Sequence, residues 1–141
     1  MSDTPDGLEW LYLRIALGVV ALIVVADLGV WKVHDIRYPR PTRLERTVSC
    51  LEGRKGLVPV VPAGDPISNT AGAGSLRVTV EGSEVIVSVA RSGDEAARIE
   101  RNYRAVGGNV EGRLERRGRY VFLWQGIATP TQRQTMYDCQ Y

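Results

Sequence analysis

The stretch LRVTVEGSEVIVSVA, residues 76–90, decides the fold of the larger part of this chain. Apolar and polar side chains alternate from Leu76 to Val80, and valine recurs at every second position from Val85 to Val89. A period of two is typical of strands that bury one face. Gly82-Ser83, between the two runs, supplies a tight turn. The stretch therefore predicts an antiparallel hairpin with its valines in a core.

The pattern continues into a second unit of the same kind. Ser92 predicts the start of a helix that ends at Gly107-Gly108. A second hairpin is predicted from residues 110–116 and 119–124, and Thr129 opens a last short helix that carries Cys139. Two tandem strand-strand-helix units predict an α+β domain, with a four-stranded antiparallel sheet and its helices packed on one face.

A helix and a long loop precede the first hairpin. Thr42 and Glu45 have the spacing of a capping box and predict a helix from Thr42 to about Glu52, stopped by Gly53 or Gly56. Residues 57–75 are rich in proline and glycine and are predicted to form a loop.

The N-terminal stretch WLYLRIALGVVALIVVADLGVW, residues 10–31, is long enough to cross a membrane. As a helix it would span about 33 Å, against a hydrocarbon core of about 30 Å. Asp27 lies a turn inside its second end, where a carboxylate must reach headgroup water or a polar group on a partner helix. We predict an uncleaved signal anchor. The alternative is a secretory signal peptide cleaved after Ala26.

These features divide the chain into four segments. Residues 1–9 form a tail, residues 10–31 a transmembrane helix in the lipid bilayer, and residues 32–41 a basic linker stiffened by prolines. Residues 42–141 then form one small α+β domain, since about 100 residues is a common domain size.

Two signals disagree about the side of the membrane on which this domain lies. Five basic residues follow the span and, by the positive-inside rule, favour the cytoplasm: Lys32, Arg37, Arg40, Arg43 and Arg46. Cys50 and Cys139, the only two cysteines, stand near the two ends of the domain. A disulfide formed in an oxidising compartment accounts for both positions. We therefore predict a Cys50–Cys139 disulfide and an extracytoplasmic domain; two unrelated buried thiols are the alternative.

No pattern in the sequence predicts catalysis, a metal site, a cofactor or a small-molecule substrate. His34 is the only histidine and lies in the linker, which argues against zinc coordination and against a Ser/His/Asp mechanism. Gly72-Ala73-Gly74-Ser75 precedes a strand, whereas a phosphate loop precedes a helix. The net charge of +2 is too small to predict nucleic-acid binding.

The second hairpin carries the candidate contact for an anionic partner: Arg113, Arg116, Arg117 and Arg119. On one side of the domain these residues would hold an anionic lipid, an envelope polymer or an acidic protein. The alternative is a solvated hairpin tip that discourages edge pairing. The sequence thus predicts a non-enzymatic binding module, with a protein or other component of the bacterial cell envelope as partner. The alternative function is an accessory subunit of a membrane complex, recognised through Asp27.

Thiol labelling of intact cells tests the predicted sidedness. We expect a membrane-impermeant maleimide to modify Cys50 and Cys139 only after treatment with a reductant, because the pair is oxidised and outside the cytoplasm. Labelling that requires permeabilised cells and no reductant would place a reduced domain in the cytoplasm.

Overall fold

A computed structural model describes residues 12, 14–26, 40–106 and 108–141 of the chain. The chain divides into two compact units, Met1–Arg40 and Pro41–Tyr141. In the first unit, residues 14–26 are helical and exposed. Within the described ranges, no helix combines the length and the apolar character needed to cross a membrane. Asp27, His34 and most of the predicted linker lie outside the described residues.

The second unit is an α+β domain whose described strands form one antiparallel sheet in the order β1-β2-β4-β3. Its elements in chain order are α1 (Arg43–Lys55), a 3-10 turn (Ser68–Thr70), β1 (Ser75–Val80), β2 (Ser83–Val89), α2 (Gly93–Val106), β3 (Leu114–Arg117), β4 (Tyr120–Trp124) and α3 (Pro130–Tyr137). The predicted four-stranded antiparallel sheet and the order of its two strand-strand-helix units are confirmed.

The prediction that all helices pack on one face of the sheet is wrong. Phe122 and Trp124 of β4 join the core that contains residues of α1 and α3. Val121, which points to the opposite face, packs with Ile99 and Tyr103 of α2. Because β4 is apolar at every position, it needs cover on both faces, and α2 supplies the second cover.

Both hairpin turns lie one residue away from their predicted places. Glu81 and Gly82 form the first turn with φ of 47° and 78°, and β2 begins at Ser83. Positive φ at both central residues is what a tight turn matched to the strand twist requires. The second turn is formed by Gly118 and Arg119, one residue after the predicted turn at residues 117–118, and Gly118 has φ of 57°. Residues 110–113, predicted as strand, form a turn in which Leu114 N–H donates to the Val110 carbonyl at 3.0 Å.

The predicted helix caps of α1 and α3 are confirmed. Thr42 and Glu45 form a complete capping box, and α1 continues to Lys55, where Gly56 ends it in the left-handed region with φ of 63°. Thr129 and Gln132 form the equivalent box at α3, with Pro130 in its first turn. These local hydrogen bonds satisfy the N–H groups that a helix start leaves free.

The predicted disulfide is present. Cys50 on α1 bonds to Cys139, which lies just after α3, with 5.6 Å between the two Cα atoms. Both side chains are buried in the core shared by α1 and α3. The bond closes a loop with a sequence separation of 89, so on the chain-entropy model it stabilises the fold by about 4 to 5 kcal/mol.

Removing this bond tests that figure. We expect the Cys50→Ser, Cys139→Ser double variant to lose about 4 to 5 kcal/mol of unfolding free energy in guanidinium titrations followed by circular dichroism. The wild-type protein under reductant is the matched control and should lose a similar amount. A double variant as stable as the oxidised protein would contradict the assignment.

Glu95 at the start of α2 ties three segments together. Its carboxylate accepts hydrogen bonds from Arg91 N–H and Gly72 N–H, each at 2.7 Å. Arg91 Nε donates to the Gly72 carbonyl at 2.8 Å and closes the link. The hydrogen bond from the Arg91 backbone is the main reason that the pKa of Glu95 lies below its usual value. The loop before β1 is therefore held against the start of α2.

This lowered pKa makes the link sensitive to acid. The ionised form is favoured by folding, so its contribution is complete above about pH 4.5 and is lost as the pH falls through the lower folded-state pKa. We expect Glu95→Gln to lower the free energy of unfolding by no more than about 1 kcal/mol at pH 7. The difference in unfolding free energy between variant and wild type should vanish in acid. Glu111→Gln is the control, because the Glu111 side chain makes no hydrogen bond or ion pair with the described residues. A difference from wild type that is constant from pH 7 to pH 3 would contradict the linkage.

Candidate functional site

The four arginines of the second hairpin do not act together. Arg116 lies opposite Val121 and points to the α2 side, where its Nε is 2.8 Å from Glu100. Arg113 is held by backbone, with its Nε donating to the Trp124 carbonyl at 2.9 Å. Arg117 and Arg119 line a cleft on the other side of the sheet. The register of β3 explains why Arg116 and Arg117 point to opposite faces, whereas Arg113 and Arg119 lie in the turns before and after that strand.

Arg116 forms an ion pair with a carboxylate of α2. Glu100 accepts from both Arg116 and Arg104, at 2.8 and 2.9 Å. Burial alone would raise the pKa of Glu100, but the two guanidinium groups outweigh it and lower the pKa. The Arg116–Glu100 pair therefore links β3 to α2, and the two arginines share a single carboxylate.

Arg117 and Arg119 share their cleft, of about 470 Å³, with a third arginine. Arg43, at the start of α1, lies on its opposite wall, and Tyr120, Gln140 and Tyr141 complete the lining. We call this site the basic cleft. Three parts of the chain that are distant in sequence build it: the first turn of α1, the second hairpin and the segment that follows the disulfide.

The tyrosine hydroxyl of Tyr120 fixes the floor of the basic cleft. It lies 3.2 Å from Thr47 Oγ1 on α1 and accepts a hydrogen bond from Tyr141 N–H at 3.0 Å. Arg43 Nε donates to the Tyr141 carbonyl oxygen at 2.5 Å. Arg43 is thus oriented by the backbone that follows Cys139, and the wall and floor of the cleft are built in place before any ligand arrives.

Arg117 is positioned by an aromatic ring. Its guanidinium carbon lies 3.9 Å from the ring centroid of Tyr137, a cation-π contact. The Tyr137 hydroxyl donates to Glu115, which pairs with Arg133 at 2.5 Å. Burial and then the hydrogen bond to Glu115 raise the pKa of Tyr137, so its ring remains a neutral platform. The stacked contact leaves the edge of the Arg117 fork available to an acceptor.

The arginines of the basic cleft lack acidic side-chain partners. Among the described residues, no side-chain carboxylate pairs with Arg43, Arg117 or Arg119. Arg117 and Arg119 are exposed, and Arg43 is half-buried. Three guanidinium groups around one open cleft repel one another and favour an anion between them.

A second basic cavity, of about 380 Å³, continues along α1. Arg46 and Arg54 line it beside Cys50 and Tyr141, and Arg46 lies 5.8 Å from the ring centroid of Tyr141. Arg43, Arg46 and Arg54 were not predicted as site residues. The available signal was their spacing with Cys50, at 43, 46, 50 and 54, which places all four on one flank of a helix.

The described residues hold no cluster of three or more acidic, histidine or cysteine side chains suited to a metal ion. No protein-family model, curated protein or solved structure matches the chain. The site is therefore interpreted from its own geometry.

Proposed function

We propose that the domain is a non-enzymatic module that binds an anionic group of a cell-envelope component in the basic cleft. The observation that carries this proposal is the convergence of Arg43, Arg117 and Arg119 without a carboxylate partner among the described side chains. Guanidinium forks bind phosphate and carboxylate through paired hydrogen bonds, and both groups are common in envelope lipids, polymers and acidic proteins.

The shape of the basic cleft favours part of a large ligand over a small substrate. Arg117 and Arg119 are exposed on the hairpin tip, so a ligand bound there stays in contact with water. Catalysis normally requires an enclosed site that excludes water. An open basic surface instead suits a lipid headgroup, a repeating polymer or an acidic protein segment that continues past the domain.

A membrane tether and an extracytoplasmic domain complete the proposal. Residues 14–26 are helical, and their apolar side chains include Leu22 and Val25, which are 73% and 69% exposed. Apolar exposure of this kind is favourable in lipid and costly in water. The Cys50–Cys139 bond suits an oxidising compartment. Together these features support a single-pass anchor and an extracytoplasmic domain.

Charge reversal at the hairpin tests the proposal. We expect Arg117→Glu, Arg119→Glu in the full-length protein to weaken binding of a synthetic polyglycerol phosphate by about tenfold or more, because two cations at the cleft become anions. The affinity of the wild-type protein should also fall as salt is raised. Titration calorimetry at two ionic strengths measures both effects.

A matched control separates the basic cleft from the net charge. Arg98→Glu, Arg101→Glu makes the same charge change at two exposed positions on α2, on the opposite side of the sheet. We expect this variant to bind within about threefold of wild type, since its charges lie on the other side of the sheet from the cleft and are screened by salt. Equal losses in the two variants, or no binding by the wild-type protein, would refute the basic cleft as the site.

A further inference from the structure

A further cavity, of about 270 Å³ and distinct from the two basic ones, lies on the α2 side of the sheet. Four of its lining side chains are aliphatic: Ile67, Val106, Val110 and Leu123. Val106 is 77% exposed, and Ile67 and Leu123 are only partly buried. Apolar surface therefore remains uncovered around the cavity. Its volume lies just below the usual range for ligand pockets, which begins at about 300 Å³, so only a small ligand would fit.

Two charged groups of opposite sign also line this cavity, Asp65 and Arg113. Asp65 is fixed through one oxygen, Oδ2, which accepts from the Tyr103 hydroxyl at 2.5 Å and from Ser68 N–H at 2.7 Å. Burial and the contact with Asp65 raise the pKa of Tyr103, so the phenol keeps the proton that it donates. The other oxygen, Oδ1, accepts no hydrogen bond from the described residues.

Arg113 is held in a comparable way. Its Nε donates to the Trp124 carbonyl at 2.9 Å, and its Nη1 donates to the Asn109 carbonyl at 3.4 Å. Its Nη2 donates to no group of the described residues. The cavity thus offers one unused carboxylate acceptor and one unused guanidinium donor, both on side chains that are already positioned.

From this combination we infer that the cavity binds a small apolar zwitterion, with the chemistry of a free aliphatic or aromatic α-amino acid. The ammonium group pairs with Asp65, the carboxylate pairs with Arg113, and the side chain packs on Val106, Val110 and Leu123. A simple cation would be repelled by Arg113, and a simple anion by Asp65. This site is separate from the basic cleft, and it does not depend on the function proposed for that cleft.

Titration calorimetry of the full-length protein in detergent tests this inference. The probes are L-leucine and L-phenylalanine, together with isopentylamine and 4-methylpentanoate, which each keep the leucine body and only one of its charges. We expect saturable binding of at least one amino acid, and binding at least about tenfold weaker for both single-charge analogues. Absence of binding by both amino acids, or equal affinity for either analogue, would overturn the inference.

Variants locate the binding. Val106→Arg should abolish binding of the amino acid because it fills the mouth of the cavity, while Val58→Arg, at a residue that is 81% exposed elsewhere, should leave binding unchanged. Asp65→Asn keeps a hydrogen-bond acceptor and removes the charge. We expect this variant to bind the amino acid about tenfold more weakly than the wild-type protein does, and to bind 4-methylpentanoate no more weakly. Circular dichroism confirms that each variant is folded. Binding by folded Val106→Arg equal to that by Val58→Arg would exclude this cavity as the site.

Discussion

The burial of β4 on both of its faces is the constraint on which the rest of the domain depends. Trp124 and Val121 are both fully buried although they point to opposite sides of the sheet. A strand of this kind must lie inside the sheet and be covered twice. β4 accordingly lies between β2 and β3, with α1 and α3 on one side and α2 on the other. The two layers of helices follow from the composition of one five-residue strand.

Cover on both sides also gives the domain two chemically different surfaces. On the α1 and α3 side, the disulfide and the Tyr120 hydroxyl bring distant segments together, and three arginine side chains line the cleft between these segments. On the α2 side, Glu100 pairs with two arginines, and the cavity there is mainly apolar with one charge of each sign. The hairpin β3–β4 contributes arginines to both surfaces, since its residues alternate in direction. Arg117 of this hairpin lines one proposed site, and Leu123 lines the other.

Much of the fold could be predicted from local patterns in the sequence. Period-two alternation identified the strands, and the Thr42 and Thr129 boxes located two helix starts, because these signals depend on residues that are close in the chain. The disulfide was predictable because the chain contains only two cysteines. The face on which α2 packs was not, since its apolar stripe fits either side of a sheet. The clue lay in β4, whose unbroken apolar run requires cover on both faces.

The candidate sites were less predictable than the fold. Arg117 and Arg119 were selected from their density in the sequence, but the separation of Arg117 from Arg116 depends on strand register, and the position of Arg113 depends on the turn before β3. Arg43 joins them only because residues 98 positions apart meet at the Tyr141 carbonyl. Asp65 lies in a loop without regular structure, and its role emerges only from its contact with Tyr103. Long-range contacts of this kind leave no local signal.

The margins of the sheet have a consequence for proteins held at high density on a surface. Val60 and Arg77 exchange two backbone hydrogen bonds, of 2.7 and 2.9 Å, so the outer margin of β1 already has a partner for part of its length. The other margin is β3, which has four residues and carries adjacent arginines. Neither edge of the sheet offers a long row of unpaired backbone N–H and C=O groups to a strand of a neighbouring copy. Copies crowded in two dimensions would therefore collide without polymerising through their strands.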